Sequence, residues 1–269
     1  MLNTDSLDSV CAALAQTAGI EPPEYAAVPC RELTGFARES FAGKNADRVF
    51  MYNPDAIAGW ISGKYPAFIE EVTSRAGLSL PLRSVMPSVT PVCFATMYTG
   101  AQPETHGIRS YTKPVLKTDT IFDALIRAGR RPAIVSTAGD SISMIFLERE
   151  MDYFIYETEE EVNAKACELI VADRHDFIVV YNGNFDTQMH RTGPESKEAL
   201  AELRANARTF GMFDELIKAN WGSHNSLVGF AMDHGAHAID GGCGSHGLDM
   251  EEDLNITHFY CAHPERVSS

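Results

Sequence analysis

Short runs of consecutive apolar residues alternate along this chain with longer stretches of helical periodicity. Val49-Phe50-Met51-Tyr52, bounded by Asn53-Pro54, reads as a buried strand that ends at Asp55. Ser84 to Met86, Pro132 to Ser136, Tyr153 to Tyr156, Phe177 to Tyr181 and Ser226 to Met232 are further strand candidates. Between them, Pro91 to Tyr98 is expected to be helical, with Thr90 as its N-cap and Pro91 at the first helical position. Thr120 to Ala128 reads as a helix ended by Gly129, and long helices are expected over Glu159 to Ala172 and Pro194 to Ala219. Strands alternating with helices imply an α/β fold with a mostly parallel central sheet and helices on both faces.

The first 44 residues begin with a helical pattern (Val10, Ala13, Leu14) that Pro22-Pro23 and Pro29 interrupt, so residues 1–44 are expected as an N-terminal extension packed on the main domain. No long polar linker divides the 269 residues, which predicts one domain over 1–269. The net charge of -15 argues against a nucleic acid polymer as partner, because phosphate binding over a long footprint needs clustered Lys and Arg. Six cysteines stand singly with no Cys-x-x-Cys pair, as expected of reduced thiols in a cytoplasmic protein. Asp5 and Asp8 lie where a signal peptide needs positive charge, and no apolar run reaches the length of a span, so neither secretion nor a membrane partner is expected. A homo-oligomer stays open.

Chemistry enters with acids and imidazoles in a fixed order: Asp186 with His190, Asp233 with His234, then His246, preceded by Asp55 and Thr90. Carboxylates and imidazoles are ligands for divalent cations, and a hydroxyl beside such a cation becomes a nucleophile. Asp55, Asp186 and Asp233 each follow a strand candidate, at the sheet edge where α/β folds collect ligands. Asp186 and His190 share a face if a helical turn starts there. His246 lies in Gly241-Gly242-Cys243-Gly244-Ser245-His246-Gly247, a loop flexible enough to fold back toward that edge. Taken singly, an Asp-x-x-x-His pair is more often a surface pair, and Asp-His-Gly is common in turns. His237 is a rival ligand read as standing outside the direct set; His106, His175, His224, His258 and His263 are read as structural.

The order of these pieces resembles the alkaline phosphatase superfamily, in particular its nucleotide pyrophosphatase/phosphodiesterase-like branch. Pro87-Ser88-Val89-Thr90-Pro91 through Thr99-Gly100, followed by Pro103-Glu104-Thr105-His106-Gly107-Ile108, is similar to that family's nucleophile segment. Asp186-x-x-x-His190-x-x-Gly193-Pro194 and Asp233-His234-Gly235 resemble its metal motifs, and the likeness runs from Arg48 to Gly247. It implies two divalent cations, zinc (Zn2+) or alternatively manganese (Mn2+). Asp186, His190 and His246 would hold one; Asp55, Asp233 and His234 the other, with Thr90 as metal-activated nucleophile. The implied function is a phosphohydrolase, on mono- or diesters, that attacks a small phosphoester substrate through a phosphothreonine. Two positions depart from the family: its usual Asp-Gly is Asp55-Ala56 here, and Tyr111 stands where an asparagine helps hold a phosphate oxygen, so Tyr111 is the candidate substrate contact.

Three other readings are weighed against it. A sulfatase needs a Cys- or Ser-x-Pro-x-Arg run that Cys93-Phe94-Ala95-Thr96-Met97 lacks. A phosphomutase uses the same metals but usually carries a sizeable extra domain. A non-catalytic binding module would tolerate loss of a ligand, yet all seven positions are filled. Only eleven residues separate His234 from His246, where relatives carry a long cap, so the cap is expected to be reduced or absent.

Overall fold

The computed structural model describes residues 1–266. Its strands are β1 (Arg48–Pro54), β2 (Leu78–Arg83), β3 (Pro132–Thr137), β4 (Asp152–Tyr156), β5 (Phe177–Asn182), β6 (Ser226–Phe230), β7 (His237–Ile239), β8 (Cys243–Ser245) and β9 (Asn255–His263). Seven of them make one sheet in the order β2-β9-β6-β1-β5-β3-β4. The block β6-β1-β5-β3-β4 is parallel, and β9 runs antiparallel to both β6 and β2. β7 and β8 form a separate antiparallel hairpin.

Central strands read as unbroken apolar runs because both of their faces are covered. Alternate residues of β1 divide between the two layers: Phe50 and Tyr52 pack on Phe213 of the long Lys197–Asn220 helix, with ring centroids 5.1 and 5.6 Å apart. Asn53 faces the other way and accepts from the Tyr98 hydroxyl, on the Thr90–Thr99 helix. There Phe94 meets Tyr181 of β5, while Tyr98 meets Phe122 and Phe146. Helix starts follow side-chain chemistry: Thr120 with Asp123 and Thr158 with Glu161 form capping boxes, and Ser196 caps the long helix.

Several expected elements shift. Ser84–Met86 is not a strand; the strand lies just before it as β2, where Leu80 and Leu82 point inward and Pro81 is tolerated because β2 is an edge. β9 was hidden behind its polar residues. Thr90 is the first helical residue rather than the cap, a place taken by Val89. The long helix begins at Lys197 because Ser196 accepts from the Ala199 amide. In the N-terminal segment Pro29 does not end helical structure, since a second helix, Arg31–Ser40, follows it. The first helix, Ser9–Thr17, is almost wholly buried and carries Val10, Cys11 and Leu14 into the common core. No helix is long and apolar enough to cross a membrane among the described residues.

Phe213 links the long helix to Phe50 and Tyr52 of β1. Phe213→Ala is expected to lower unfolding free energy by about 3–5 kcal/mol, read from the midpoint of urea denaturation. A loss under about 1 kcal/mol would mean that this layer contributes little.

Candidate active site

Three neighbouring parallel strands deliver three acids to one edge. Asp55 follows β1 directly, and its amide donates to the Asn182 carbonyl at the end of β5 (2.9 Å). Asp186 lies in the first turn of the Asn184–Thr192 helix that follows β5, and Asp233-His234 lies just beyond β6. His190, four residues after Asp186, shares its helix face. His246 comes back to the same edge immediately after β8. At position 56 the family's glycine is replaced, yet Ala56 adopts φ +62°, in the left-handed region that favours glycine. The turn after Asp55 is thus retained at the cost of strain, and the Ala56 amide donates to Asp233 Oδ1 (3.3 Å).

The side chains gather into two triplets, Asp186/His190/His246 and Asp55/Asp233/His234, whose ligand atoms lie within 4.8 Å of one another inside each set. In the first, Asp186 Oδ1 is 3.2 Å from His190 Nε2 and 3.4 Å from His246 Nε2. In the second, His234 Nε2 is 3.4 Å from Asp55 Oδ1 and 3.3 Å from Asp233 Oδ2. The sets adjoin, because the His234 and His246 rings stack with centroids 4.1 Å apart. They differ in access: the second is buried, whereas the His190 side chain in the first is 42% exposed.

Two observations test whether these groups fit cations. One oxygen of every acid, Asp55 Oδ1, Asp186 Oδ1 and Asp233 Oδ2, is buried with no hydrogen-bond partner so long as the imidazoles are neutral, and each belongs to a triplet. Buried carboxylate oxygens are ordinarily satisfied, and the one further orphaned carboxylate oxygen among the described residues, Glu159 Oε2, stands outside both triplets, so a shared orphan state at three convergent atoms calls for a positive ligand. The imidazoles agree. Each Nδ1 faces a backbone carbonyl, Gly244 for His190 (3.0 Å), Ser88 for His246 (2.9 Å) and Gly235 for His234 (2.9 Å), which only an N–H can satisfy. Their Nε2 lone pairs therefore point into the triplets, as in histidines that ligate metals. Without a cation, the lone pairs of His190 and His246 would face each other across 3.1 Å. The donor set suits a borderline divalent ion such as zinc.

Electrostatics point the same way. Burial, then the Asp186 charge, lifts Asp55 well above the usual carboxylate range; burial, then Asp55, does the same to Asp233. Burial also lifts Asp186, but the His190 and His246 rings, which donate to it once they are protonated, outweigh that and hold this acid low. The hydrogen bond with Asp186 raises His190. In His246 burial lowers the pKa, and Asp186 more than offsets it, leaving a net rise. His234 is pushed down to about 3 by burial and by its neighbour His246. Protons on the acids of one triplet and the imidazoles of the other thus occupy positions that a divalent ion would take over.

Thr90 sits between the carboxylate and the imidazole of the buried set: Oγ1 donates to Asp55 Oδ2 (3.2 Å) and lies 3.4 Å from His234 Nε2. Pro91 has no N–H, and the Val92 and Cys93 amides both donate to the Val89 carbonyl. The Thr90 amide is left as the donor at this helix start. Tyr111 lies in the loop after the Pro103–His106 helix, 59% exposed, with its hydroxyl pKa raised by burial and by the charges of Asp55 and Asp186. It stands at the rim and belongs to neither triplet. His237 pairs with Asp253 (2.7 Å) outside both sets. His106, His175, His224, His258 and His263 each meet a protein partner: Thr96, Asp152, Asp173, the Met232 carbonyl and Asp214. Sequence reasoning missed Tyr181, whose hydroxyl donates to Asp55 Oδ2. Its signal was a tyrosine directly after the apolar run Phe177-Ile178-Val179-Val180, at the end of the strand that leads to Asp186.

A model of the family described as type I phosphodiesterase / nucleotide pyrophosphatase matches residues 67–125 and 138–259, more than half of the chain. Those segments contain every candidate except Asp55. A venom phosphodiesterase of Macrovipera lebetinus is 28% identical over 185 residues, covering 59% of this chain and 21% of that protein. Among solved structures, murine ectonucleotide pyrophosphatase / phosphodiesterase 5 aligns over 72% of this chain and 58% of its own, with 18% identity and a TM-score of 0.59. An inactive form of it in complex with AMP aligns with the same TM-score, 0.59, at 17% identity, over 72% of this chain and 59% of that one. Phosphonoacetate hydrolase from Sinorhizobium meliloti 1021, in complex with phosphonoformate, aligns over 71% of this chain and 57% of that one, with 18% identity and a TM-score of 0.54. This chain thus spans about a fifth of the venom protein and under three fifths of the solved ones.

Protons and a cation compete for Asp55, Asp233, His190 and His246, whose pKa values are all raised, so zinc binding is expected to release protons and to weaken as pH falls. Calorimetric titration of the metal-free protein should give at least about tenfold lower affinity at about pH 5.5 than at about pH 7.5. Equal affinity, or no proton release on comparing buffers of different ionisation heat, would contradict the assignment.

Proposed function

The chain belongs to the type I phosphodiesterase / nucleotide pyrophosphatase family, and on that premise we propose that it is a metal-dependent phosphoester hydrolase with two divalent cations and a threonine nucleophile. The observation that carries this reading is the coincidence of three orphaned carboxylate oxygens with a hydroxyl 3.2 Å from one of those carboxylates, at one sheet edge. Asp186, His190 and His246 would hold one cation and Asp55, Asp233 and His234 the other. Bound zinc, or manganese in its stead, neutralises charge on the entering and leaving oxygens and lowers the hydroxyl pKa of Thr90.

The chain's own residues account for the remaining chemistry. Asp55 accepts the hydrogen bond of the Thr90 hydroxyl and so orients Oγ1 and draws on its proton. Tyr181 donates to that same Asp55 oxygen and fixes the carboxylate. Oγ1 attacks phosphorus, the bond from phosphorus to the departing oxygen breaks, and the alcohol leaves with a proton from solvent. The Thr90 amide and the positive end of its helix lie beside the transferred phosphoryl group. Water then attacks the phosphothreonine, releasing phosphate or its monoester and restoring Thr90. The exposure of His190 supports water as the acceptor, because a mutase must shield its intermediate. Tyr111, at the rim, offers a phenol hydroxyl to a phosphoryl oxygen. AMP, bound by one neighbour, is a phosphate monoester and supports a small phosphoester as substrate; phosphonoformate, bound by another, is a phosphonate and shares only the anionic PO3 group.

The direct test is release of p-nitrophenol from its phosphate mono- and diesters with zinc or manganese added. Thr90→Ala is expected to reduce turnover by roughly 10³-fold or more while metal content stays near parental, because the cations are held mainly by the other six side chains. Parental turnover in that variant would remove Thr90 as nucleophile.

A further inference from the structure

His234 and His246 serve different triplets, yet only eleven residues separate them, and most of that length is the β7–β8 hairpin turned at Gly241 and Gly242, φ +85° and +78°. The distance between the two triplets therefore depends on how both ends of this hairpin are held. Asp253, in the short Glu251–Leu254 helix and fully buried, holds both. Its Oδ1 accepts from His237 Nδ1 (2.7 Å), at the start of β7. Its Oδ2 accepts from the Leu248 amide (2.8 Å), two residues beyond His246. Its own carbonyl accepts from the Gly235 amide (2.8 Å), next to His234. The approach at Gly235 is close, since a Cβ there would lie 2.0 Å from the Glu252 carbonyl oxygen. Neither carboxylate oxygen of Asp253 is an orphan, which sets it apart from the three acids of the site.

We propose that Asp253 is a positioning residue that clasps both ends of the hairpin and thereby fixes the spacing of the two cation-binding triplets. The proposal rests on the two-cation reading. Cation affinity depends on ligand placement within about 0.5 Å, and loss of groups that orient ligands costs roughly 10–100-fold in metal affinity. Other contacts hold the connection along its length, from His190 Nδ1 to the Gly244 carbonyl, Trp60 Nε1 to the Ala236 carbonyl and Cys243 Sγ to the Arg191 carbonyl, but none of these joins its two ends. The clasp takes over that work here, gripping the chain at residues 235, 237 and 248 through one side chain and one carbonyl.

Zinc affinity, measured on metal-free protein well below its melting temperature, separates positioning from bulk stability. Asp253→Asn keeps the volume but turns one acceptor into an NH2 donor, which opposes either the Leu248 amide or the His237 N–H. It is expected to lose roughly 10–100-fold in affinity at both sites, and its cobalt-substituted form to show altered visible bands. Glu252→Gln removes the same charge one residue away on an exposed position and should bind zinc as the parent does. His237→Gln, which weakens one arm, should give a smaller loss. If Asp253→Asn folds and takes up two zinc ions with parental affinity and spectrum, the clasp is refuted, whatever its melting temperature. If the Asp253 variants do not fold, His237→Gln decides, and parental affinity there refutes it equally. Failure of the underlying reading looks different: the parent itself would bind no cation pair.

Discussion

A carboxylate oxygen removed from water and given no donor costs several kcal/mol, and this chain buries three of them at one edge of one sheet. All other features of the site follow from that constraint. The imidazoles are tied through Nδ1 to carbonyls, so their lone pairs are committed to the same small volume. Thr90 and Tyr181 donate to Asp55 Oδ2 and the Ala56 amide donates to Asp233 Oδ1, each an oxygen other than the orphaned one. What remains uncompensated is negative charge and lone-pair density, which a divalent cation satisfies and a hydrogen-bond network of this composition does not.

The sheet makes the convergence inexpensive. Because β6, β1 and β5 are adjacent and parallel, residues just past their C-terminal ends fall side by side with no long-range folding of loops. Thr90 arrives from a fourth direction as the first residue of a helix that packs on β1 and β5 through Tyr98 and Phe94. Only His246 needs a separate device, the β7–β8 hairpin. The φ of +62° at Ala56 shows that the turn after Asp55 is imposed by its surroundings rather than by local preference.

Much of this was legible in the sequence, and the reasons differ by element. β1, β5 and β6 announce themselves because strands buried on both faces read as near-continuous apolar runs with polar residues at their ends, and those ends marked the three acids. The shared helix face of Asp186 and His190 was legible from spacing, but that spacing alone reads as a surface pair, and the order of the other motifs was needed to place it at the site. Asp55 and His246 carry weaker local signals, a strand end and a glycine-rich loop, and needed the family motif order as well, since the first departs from Asp-Gly and the second rests on glycines. The misses have a common cause. β2 carries Pro81, and β9 carries His258 and His263, polar residues satisfied by partners far away in sequence. Tyr181 and Asp253 act through hydrogen bonds that no periodicity encodes.

The central claim is that two cations sit in the two triplets. X-ray diffraction from zinc-loaded crystals, collected on both sides of the zinc absorption edge, tests it most directly. The account predicts two anomalous peaks roughly 3.5–4 Å apart, one among Asp186, His190 and His246 and one among Asp55, Asp233 and His234. Peaks elsewhere, or triplets that stay closed on themselves in zinc-soaked crystals, would contradict it.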